Sequence, residues 1–274
     1  MNQRLYSQIP PINAMNSIHK PVLAALVSCL LPTGASAQHA YETTAGYYEY
    51  SGSAAFDSPR NRDGWTAYAA AEWVSRYLQR GYQQFGNAGA FGIMLGGGYG
   101  PVGVDLEQRF ADSSADREFR GTLRATHTMA DLDFGVRATY MSDLRGSPSN
   151  WDLGFGVGGQ LVYGIRWESE IYFGTEPSNF YADAGLSREW EFGPDWSLMA
   201  SAEIGFNLGY QRDARKGADH AALGLDIAHA LNHQSVIYGG IGHYAPINRD
   251  AAKYADHADL YDGFLFRIGA RWEY

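Results

Sequence analysis

Cysteine is almost absent from this sequence. The 274 residues include one, Cys29, in a short apolar stretch near the start of the chain. A disulfide needs two cysteines, so the chain has no internal disulfide, and the residues after Cys29 offer no thiolate for redox or nucleophilic chemistry.

Basic side chains are also few. The chain has 21 Lys and Arg against 30 Asp and Glu, a formal net charge of −9. Nucleic-acid binding depends on positive charge that neutralises phosphates, so no nucleic acid is expected as a partner.

Long apolar runs are missing except for one, "PVLAALVSCLLP", which follows Lys20 and precedes "TGASA". This order predicts a secretory signal peptide over residues 1–37, cleaved after Ala37, and a start at Met15 would give it an ordinary length. The letters "LVSC" resemble a lipoprotein site, but apolar residues continue past Cys29 and favour cleavage after Ala37. Beyond this leader, no apolar stretch approaches the roughly 20 residues of a membrane helix.

Aromatic residues are abundant, with 19 Tyr, 13 Phe and 7 Trp, and they fall in a two-residue alternation. Between Trp196 and Tyr210, every second residue is apolar, and polar residues such as Glu203 and Asn207 lie between them. Twelve segments follow this pattern, starting near 65, 90, 102, 118, 132, 150, 164, 180, 196, 220, 235 and 262. The pattern predicts an all-β fold, a transmembrane antiparallel up-and-down β-barrel of about 12 strands over 65–274, after a flexible extension at 38–64.

The connections between these segments alternate in length, as the two ends of an outer-membrane barrel require. "GYGP", "MAD", "VYG", "GPD" and "LNHQ" are short and predict periplasmic turns, whereas "QRGYQQFGNAG" and "APINRDAAKYADHADLYD" are long and polar and predict external loops. A soluble two-sheet β-sandwich is the alternative fold, but its outward face would be polar.

Aromatic side chains recur at both ends of the apolar faces, which predicts two belts at the membrane interfaces. We expect a periplasmic belt of Trp65, Tyr99, Tyr163, Phe192, Trp196, Trp272 and Tyr274, and an outer belt of Tyr77, Phe91, Phe110, Phe119, Tyr140, Trp151, Phe173, Phe180, Tyr210 and Tyr244.

The chain ends in "RIGARWEY", with Arg267, Gly269, Trp272 and a terminal Tyr274. This ending resembles the C-terminal signal by which outer-membrane barrels reach the barrel-assembly machinery. The resemblance implies that machinery as a partner and the outer membrane of a Gram-negative bacterium as the location, surrounded by its lipid and lipopolysaccharide.

A second resemblance lies in "AEWVSRYLQRGYQ". Here Ser75, Arg76, Tyr77, Arg80 and Gly81 are similar to the early Ser-Arg-Tyr-x-x-Arg-Gly motif of the TorF-family porins, Gram-negative outer-membrane proteins of poorly known function. After Gly81 the sequence has "YQQFG" where that family has a Ser-Gln pair. The resemblance implies a channel with Arg76 and Arg80 at or near its outer mouth.

The face opposite the apolar one would line the lumen. Its predicted charges are basic at Arg76, Arg109, Arg120, Arg124, Arg137, Arg166 and Arg267, and acidic at Glu72, Glu168, Glu170, Asp183, Glu203 and Asp226. We expect two opposed arcs of charge, with Glu72 paired to Arg76. Such a lumen predicts a porin-like channel for passive diffusion of small polar or charged solutes, with no cofactor and no catalytic residue.

Two other functions fit a barrel. The lumen charges could pair and plug it, which would leave a structural barrel, or the barrel could be an outer-membrane hydrolase. No nucleophile elbow is present, and none of the histidines stands convincingly beside a serine and a carboxylate: His127, His220, His229, His233, His243 and His257.

Two short stretches invite ligand interpretations. Possible ligands for a divalent cation, four carboxylates and one imidazole, occur in the last external segment at Asp250, Asp256, His257, Asp259 and Asp262. Their spacing matches no known metal loop, so no metal site is predicted. "GIMLGGGYG" lacks the Lys-Ser/Thr and the helix of a phosphate loop, so its glycines are expected in the barrel wall.

Two segments leave the register open. In the segment from 180, strict alternation directs Arg188 at lipid unless a β-bulge intervenes. The segment from 235 shows no clear apolar face.

Overall fold

The structure is a computed structural model that describes residues 65–80, 82–143, 150–174, 180–209, 216–247 and 260–274. Most of these residues lie in strands, as the alternating sequence requires. The strands are β1 Trp65–Val74, β2 Leu78–Gln79, β3 Tyr82–Gln83, β4 Ala90–Tyr99, β5 Val102–Ala111, β6 Arg117–Met129, β7 Leu132–Asp143, β8 Asn150–Gln160, β9 Ile165–Gly174, β10 Phe180–Glu191, β11 Trp196–Leu208, β12 Gly217–Asn232, β13 Ser235–Pro246 and β14 Gly263–Glu273.

Twelve of the strands form a closed antiparallel barrel, and β2 and β3 form a separate two-stranded hairpin. The barrel closes where β1 pairs with β14, from Tyr68 opposite Glu273 to Val74 opposite Arg267. The terminal Tyr274 continues this seam, because its amide donates to the carbonyl of Ala67 at 2.8 Å. Closure gives each of the twelve barrel strands a partner on both sides. The barrel therefore presents no open sheet edge to lipid, where unpaired backbone groups would be unfavourable.

The two faces of the wall differ as predicted. On β14, Phe264, Phe266 and Ile268 are 57%, 52% and 63% exposed, whereas Arg267 between them is 7% exposed. An outward wall of bare apolar side chains around a polar interior is the pattern of a transmembrane barrel. No helix in the described ranges has the length and apolarity needed to cross a membrane.

Strand starts agree closely with the sequence prediction. The largest difference is at β12, which begins at Gly217 where 220 was expected. All five predicted short turns lie at one end of the barrel, the end where β1 starts and β14 finishes, and we call it the short-turn end. The opposite end, with the longer connections, is called the loop end. The glycine-rich stretch 92–100 lies mostly in β4, as expected for barrel wall.

Aromatic rings cluster on the outer wall at both ends. At the short-turn end Trp65 contacts Tyr99, with ring centroids 5.3 Å apart, and at the loop end Tyr140 contacts Trp151 at 5.2 Å. Two members of the predicted outer belt are wrong, because Tyr77 and Tyr244 are buried on the inside at 1% exposure. Tyr77 lies three residues after Val74, the last residue of β1, where the chain turns inward, and Tyr244 lies on the inward parity of β13. Tyr210 lies outside the described residues.

The two open registers are resolved. The pairing of β10 with β9 and β11 runs without a shift, so Arg188 does face outward, beside the ring of Trp190 at 5.0 Å. On β13 the inward side chains include Val236, Tyr238 and Tyr244. Glycines at 239 and 240 carry no side chain, so the alternation of polar and apolar residues is interrupted there.

A β-bulge that the alternation did not predict lies in β12. Gly205 pairs with His220 and Phe206 pairs with Ala218, so Asp219 is the extra residue. Both Asp219 and His220 are buried as a result, at 3% and 0% exposure. The predicted signal peptide 1–37 and extension 38–64 lie outside the described residues.

Candidate functional site

The inward face of the barrel is built from charged side chains that lie against glycines. Arg109 on β5 and Glu72 on β1 are both in register with Gly92 on β4, the strand between them. With no side chain at Gly92, the guanidinium Nη2 comes within 3.6 Å of the Glu72 Oε1. Arg109 also contacts Glu107 on its own strand.

The same arrangement recurs on the other side of the seam. Arg267 on β14 and Asp226 on β12 are both in register with Gly240 on β13, and their closest atoms, Nη2 and Oδ1, are 2.6 Å apart. Arg267 Nη1 also lies 3.7 Å from the Glu72 Oε2. The hydroxyl of Tyr238 donates to that same oxygen at 3.3 Å, across Gly269.

A third group of charges lies on β7 to β9. Arg137 Nε is 2.8 Å from the Glu170 Oε1, and its guanidinium stands over the ring of Tyr172 at 4.4 Å. Gly154 on β8 lies in register with Arg137, and an ideal Cβ there would come 2.8 Å from the Arg137 Cγ. Any larger residue at Gly154 would therefore displace this arginine.

Nearer the short-turn end, Arg124 Nη1 lies 2.7 Å from the Asp105 Oδ2, and the Tyr68 hydroxyl donates to the other oxygen of that carboxylate. Arg166 Nη2 lies 3.7 Å from the Asp133 Oδ2, with its side chain 34% exposed. Towards the loop end, Arg120 contacts Glu118 on the same strand.

The charges are therefore not segregated into two opposed arcs. Asp105, Glu107, Glu118 and Asp133 share β5 to β7 with the arginines, so each positive charge meets a negative one along the wall. Asp105 and Glu107 share the inward parity of Arg109 on β5 but were not among the predicted lumen residues. An arginine reaches a carboxylate two strands away only because the strand between them has a glycine at the crossing point. The two-residue alternation does not show which glycines lie at such crossing points.

Acidic side chains predominate on β9 to β12. Glu168, Glu170, Asp183 and Glu203 have inward parity there, as predicted. The Glu203 side chain is 6% exposed, and its Oε1 lies 3.6 Å from Nε2 of His220. His220 also contacts the hydroxyl of Tyr181, at 3.4 Å.

The motif residues of the first external loop lie inside the barrel or at its rim. Ser75 stays attached to the wall, since its amide donates to the carbonyl of Phe266 at 2.8 Å and its Oγ accepts from the Phe266 amide at 2.9 Å. Arg76 donates to the carbonyl of Ser75 at 2.8 Å. The expected pair of Arg76 with Glu72 is not formed, because Arg109 and Arg267 flank the Glu72 carboxylate.

The hairpin of β2 and β3, with Arg80 between them, enters the lumen. We call it the lumen hairpin; Gly81 lies outside the described residues. Arg80 Nη2 is 2.6 Å from the Asp152 Oδ2, on β8, and its guanidinium stands 4.4 Å from the ring of Tyr172 and 5.6 Å from that of Tyr181. Arg80 therefore lies in the lumen close to the loop end, because Asp152, Tyr172 and Tyr181 each lie within two residues of that end of their strands.

Tyr77 forms the base of the lumen hairpin. Its hydroxyl donates to the Glu118 Oε1 at 2.7 Å, and Arg109 stands over its ring at 4.7 Å. Burial, and next the Glu118 carboxylate, raise the pKa of the Tyr77 phenol well above its usual range, so the phenol remains a neutral donor.

The residues of the C-terminal motif divide between the two faces. Arg267 and Gly269 belong to the inward network described above, whereas Trp272 and Tyr274 lie outward and stack with ring centroids 6.2 Å apart. Tyr274 is 76% exposed. An exposed terminal aromatic ring is available for contact with lipid or with another protein.

The described residues offer little support for a catalytic or metal centre. His220 contacts Tyr181, Tyr244 and Glu203, and none of these partners is a serine. The ring of His229 stacks on the ring of Trp196 at the short-turn end, with centroids 4.2 Å apart. No group of three or more His, Cys, Asp or Glu within the described ranges is arranged to hold a metal ion. Of the possible metal ligands in the last external segment, Asp250, Asp256, His257 and Asp259 lie outside those ranges.

No protein family and no curated protein matches this chain by sequence. Solved structures do match its fold. The KdgM porin has a TM-score of 0.50 at 7% identity, covering 76% of this chain and 98% of the porin. A KdgM porin described as in complex with disordered oligogalacturonate has 0.51 at 8%, with the same coverage. The NanC porin has 0.51 at 8%, covering 74% and 98%. At these identities the likeness shows the fold, a porin-type barrel.

Proposed function

We propose that this chain is an outer-membrane channel through which small polar or charged solutes diffuse passively. The observation that carries the proposal is the direction of the lumen ion pairs. They run along the wall, over glycines such as Gly92 and Gly240, and so hold the charged groups against the strands rather than across the barrel. A wall of fixed, paired charges presents polar groups to a solute without filling the space between opposite strands.

The match to porins is consistent with this function but does not name a solute. A lumen of arginines and tyrosines offers charge and flat rings, which suit acidic solutes with an apolar ring face, and oligogalacturonate is one such compound, bound by the KdgM porin. The TorF-family resemblance of residues 75–80 points to the same class of protein. We propose anionic solutes as the first to test.

Export and assembly are part of the proposal. The leader would be removed after Ala37, the barrel-assembly machinery would insert the chain, and lipid with lipopolysaccharide would surround it. Amino-terminal sequencing of the protein from outer membranes is expected to begin at Gln38. A longer amino terminus would contradict cleavage at this site, whereas a blocked one is compatible with it, because an amino-terminal glutamine cyclises to pyroglutamate.

The experiment that tests the channel is conductance in a planar bilayer, using the full-length chain expressed with its leader and purified from outer membranes. Discrete ohmic steps with a salt-dependent reversal potential are expected. A folded barrel that inserts but passes no current under any condition would contradict the channel.

A structural barrel is the second candidate, and one observation favours it. The lumen hairpin lies inside the barrel, and Arg80 is paired with Asp152 on the wall. If this arrangement were permanent, the barrel would be plugged. Conductance of the intact chain distinguishes the two functions, since a permanently plugged barrel passes no current while the hairpin is in place.

A further inference from the structure

The lumen hairpin spans the barrel from one wall to the opposite one. It leaves the wall at the end of β1, and its tip residue, Arg80, contacts β8, β9 and β10. In the order of strands around the barrel, β9 is six strands from β1 in either direction. The hairpin therefore crosses the full diameter of the lumen.

Side chains along the hairpin contact both halves of the wall. On one side, Tyr77 donates to Glu118 on β6, and the Gln79 amide contacts the sulfur of Met141 on β7 at 3.2 Å. On the other side, Leu78 packs with Ala222, Tyr244 and Leu265, on β12 to β14. The Tyr82 hydroxyl contacts Asp219 on β12 at 3.2 Å. At this level of the barrel the hairpin obstructs the path of a solute.

The contacts at the tip have the chemistry of a guanidinium site. Asp152 supplies a carboxylate at 2.6 Å, and the side chains of the pair are only 11% exposed for Arg80 and 4% for Asp152. The rings of Tyr172 and Tyr181 supply aromatic faces at 4.4 Å and 5.6 Å. A carboxylate beside aromatic faces suits the planar, delocalised charge of a guanidinium better than a compact ammonium.

The backbone allows the hairpin to leave without damage to the barrel. Its strands pair with each other, Leu78 with Gln83 and Gln79 with Tyr82. Meanwhile β1 and β4 pair directly from Trp65 opposite Tyr99 to Val74 opposite Ala90, so the wall is complete without the hairpin. Apart from the pairing of β2 with β3, the backbone of these two strands forms one bridge to the other described residues, from Tyr82 to Leu260. Release of the tip thus breaks side-chain contacts and leaves the barrel ladder intact.

We propose that Asp152, Tyr172 and Tyr181 form a guanidinium-binding site on the lumen wall, that Arg80 occupies it as a tethered ligand, and that a guanidinium-bearing solute opens the channel by displacing Arg80. This inference rests on the proposed channel function. It gives the lumen hairpin the role of a gate and names the class of cation that controls it.

The test is conductance in planar bilayers of the full-length chain and its variants. Arg80→Gln and Asp152→Asn each remove one side of the tip contact, and each is expected to raise the mean conductance several-fold. Because both act on one contact, the double variant is expected to conduct no more than the better single variant. Arg166→Gln is the matched control, an inward arginine on β9 whose partner is Asp133, and it is expected to leave the gate closed.

Argininamide added to the wild-type channel is expected to raise conductance with a saturable concentration dependence. Lysinamide, of the same charge but without the planar group, is expected to do so much less. Arg80→Gln, already open, is expected not to respond to either. Equal responses to the two amides at matched ionic strength would overturn the guanidinium site.

A further variant separates this inference from the channel function. Residues 76–87 are replaced by a short Gly-Ser linker, and folding of every variant is checked by heat-modifiable migration in SDS gels. If the wild-type chain and the linker variant both conduct but Arg80→Gln behaves as wild type, the gate is overturned and the channel stands. If the folded linker variant is silent as well, the channel function fails, and the gate fails with it.

Discussion

Arg267 on β14 and Asp226 on β12 meet across Gly240, which is in register with both of them. The strand between two ion-pair partners therefore contributes only backbone at the crossing point. The pairs of Glu72 with Arg109, over Gly92, and of Tyr68 with Asp105, over Gly96, follow the same rule. A glycine at such a position is a requirement of the polar network rather than of strand flexibility.

Gly240→Ala is expected to destabilise the barrel. An ideal Cβ at this position would lie 2.7 Å from Cγ of Asp226, so the carboxylate must move away from Arg267. We expect a loss of about 1–3 kcal/mol in the free energy of unfolding, the usual range for a side chain forced into a packed site. Gly239→Ala is the control, since its Cβ meets only the Arg267 carbonyl at 3.4 Å. Urea unfolding followed by tryptophan fluorescence measures both, and equal effects would contradict the role of Gly240.

Much of the wall follows from periodicity alone. The alternation from Trp196 onwards places Glu203 inside and Ile204 outside because successive side chains of a strand point to opposite faces. The same rule fails at Asp219, where one extra residue in β12 turns two consecutive side chains inward. A bulge of this kind has no signature in the polar and apolar pattern.

The position of the lumen hairpin could not be predicted from the sequence, for a different reason. Residues 79–89 have the composition of an ordinary polar external loop, and Tyr77 was expected in the outer aromatic belt. Nothing local to Tyr77 or Leu78 distinguishes burial in the lumen from exposure outside it. Their partners, such as Glu118 and Leu265, are distant in sequence and meet them only after the barrel has closed. Long-range pairing of this type is set by the tertiary fold.

Replacement of Arg120, Arg124 and Arg137 by serine is expected to shift ion selectivity towards cations. These arginines contact Glu118, Asp105 and Glu170, so the triple variant leaves those carboxylates without their partners. Carboxylates that line an aqueous path attract cations and repel anions. The reversal potential in a KCl gradient measures the shift.

Arg117→Ser is the control for that experiment, because Arg117 lies at the exposed start of β6 with outward parity. It removes a positive charge from the same strand but not from the lumen. An unchanged reversal potential in the folded triple variant would show that the three arginines do not line the conducting path.

Two outward residues on β10 provide a test of membrane depth. Leu186 is 50% exposed near the middle of the strand, and Leu186→Arg would put a charge in the lipid core. We expect it to cost about 2–4 kcal/mol in folding free energy, whereas Arg188→Leu removes a charge nearer the short-turn end and should cost little or nothing. Equilibrium urea titrations in phospholipid vesicles compare the two variants. Similar costs would mean that Leu186 does not face the bilayer core.

The terminal residue should control assembly more than stability. The backbone of Tyr274 pairs with Ala67 whatever its side chain, and its ring is 76% exposed beside Trp272. Tyr274→Ser removes the ring while leaving the seam, so we expect slower appearance of the folded, heat-modifiable form in cells and an unchanged free energy of unfolding in vitro. Tyr274→Phe keeps an aromatic ring and is expected to assemble at the wild-type rate. Pulse labelling of cells followed by unboiled gels measures the rate. A loss of in vitro stability in Tyr274→Ser that matches its slower assembly would assign the residue to the barrel seam and remove it from the assembly signal.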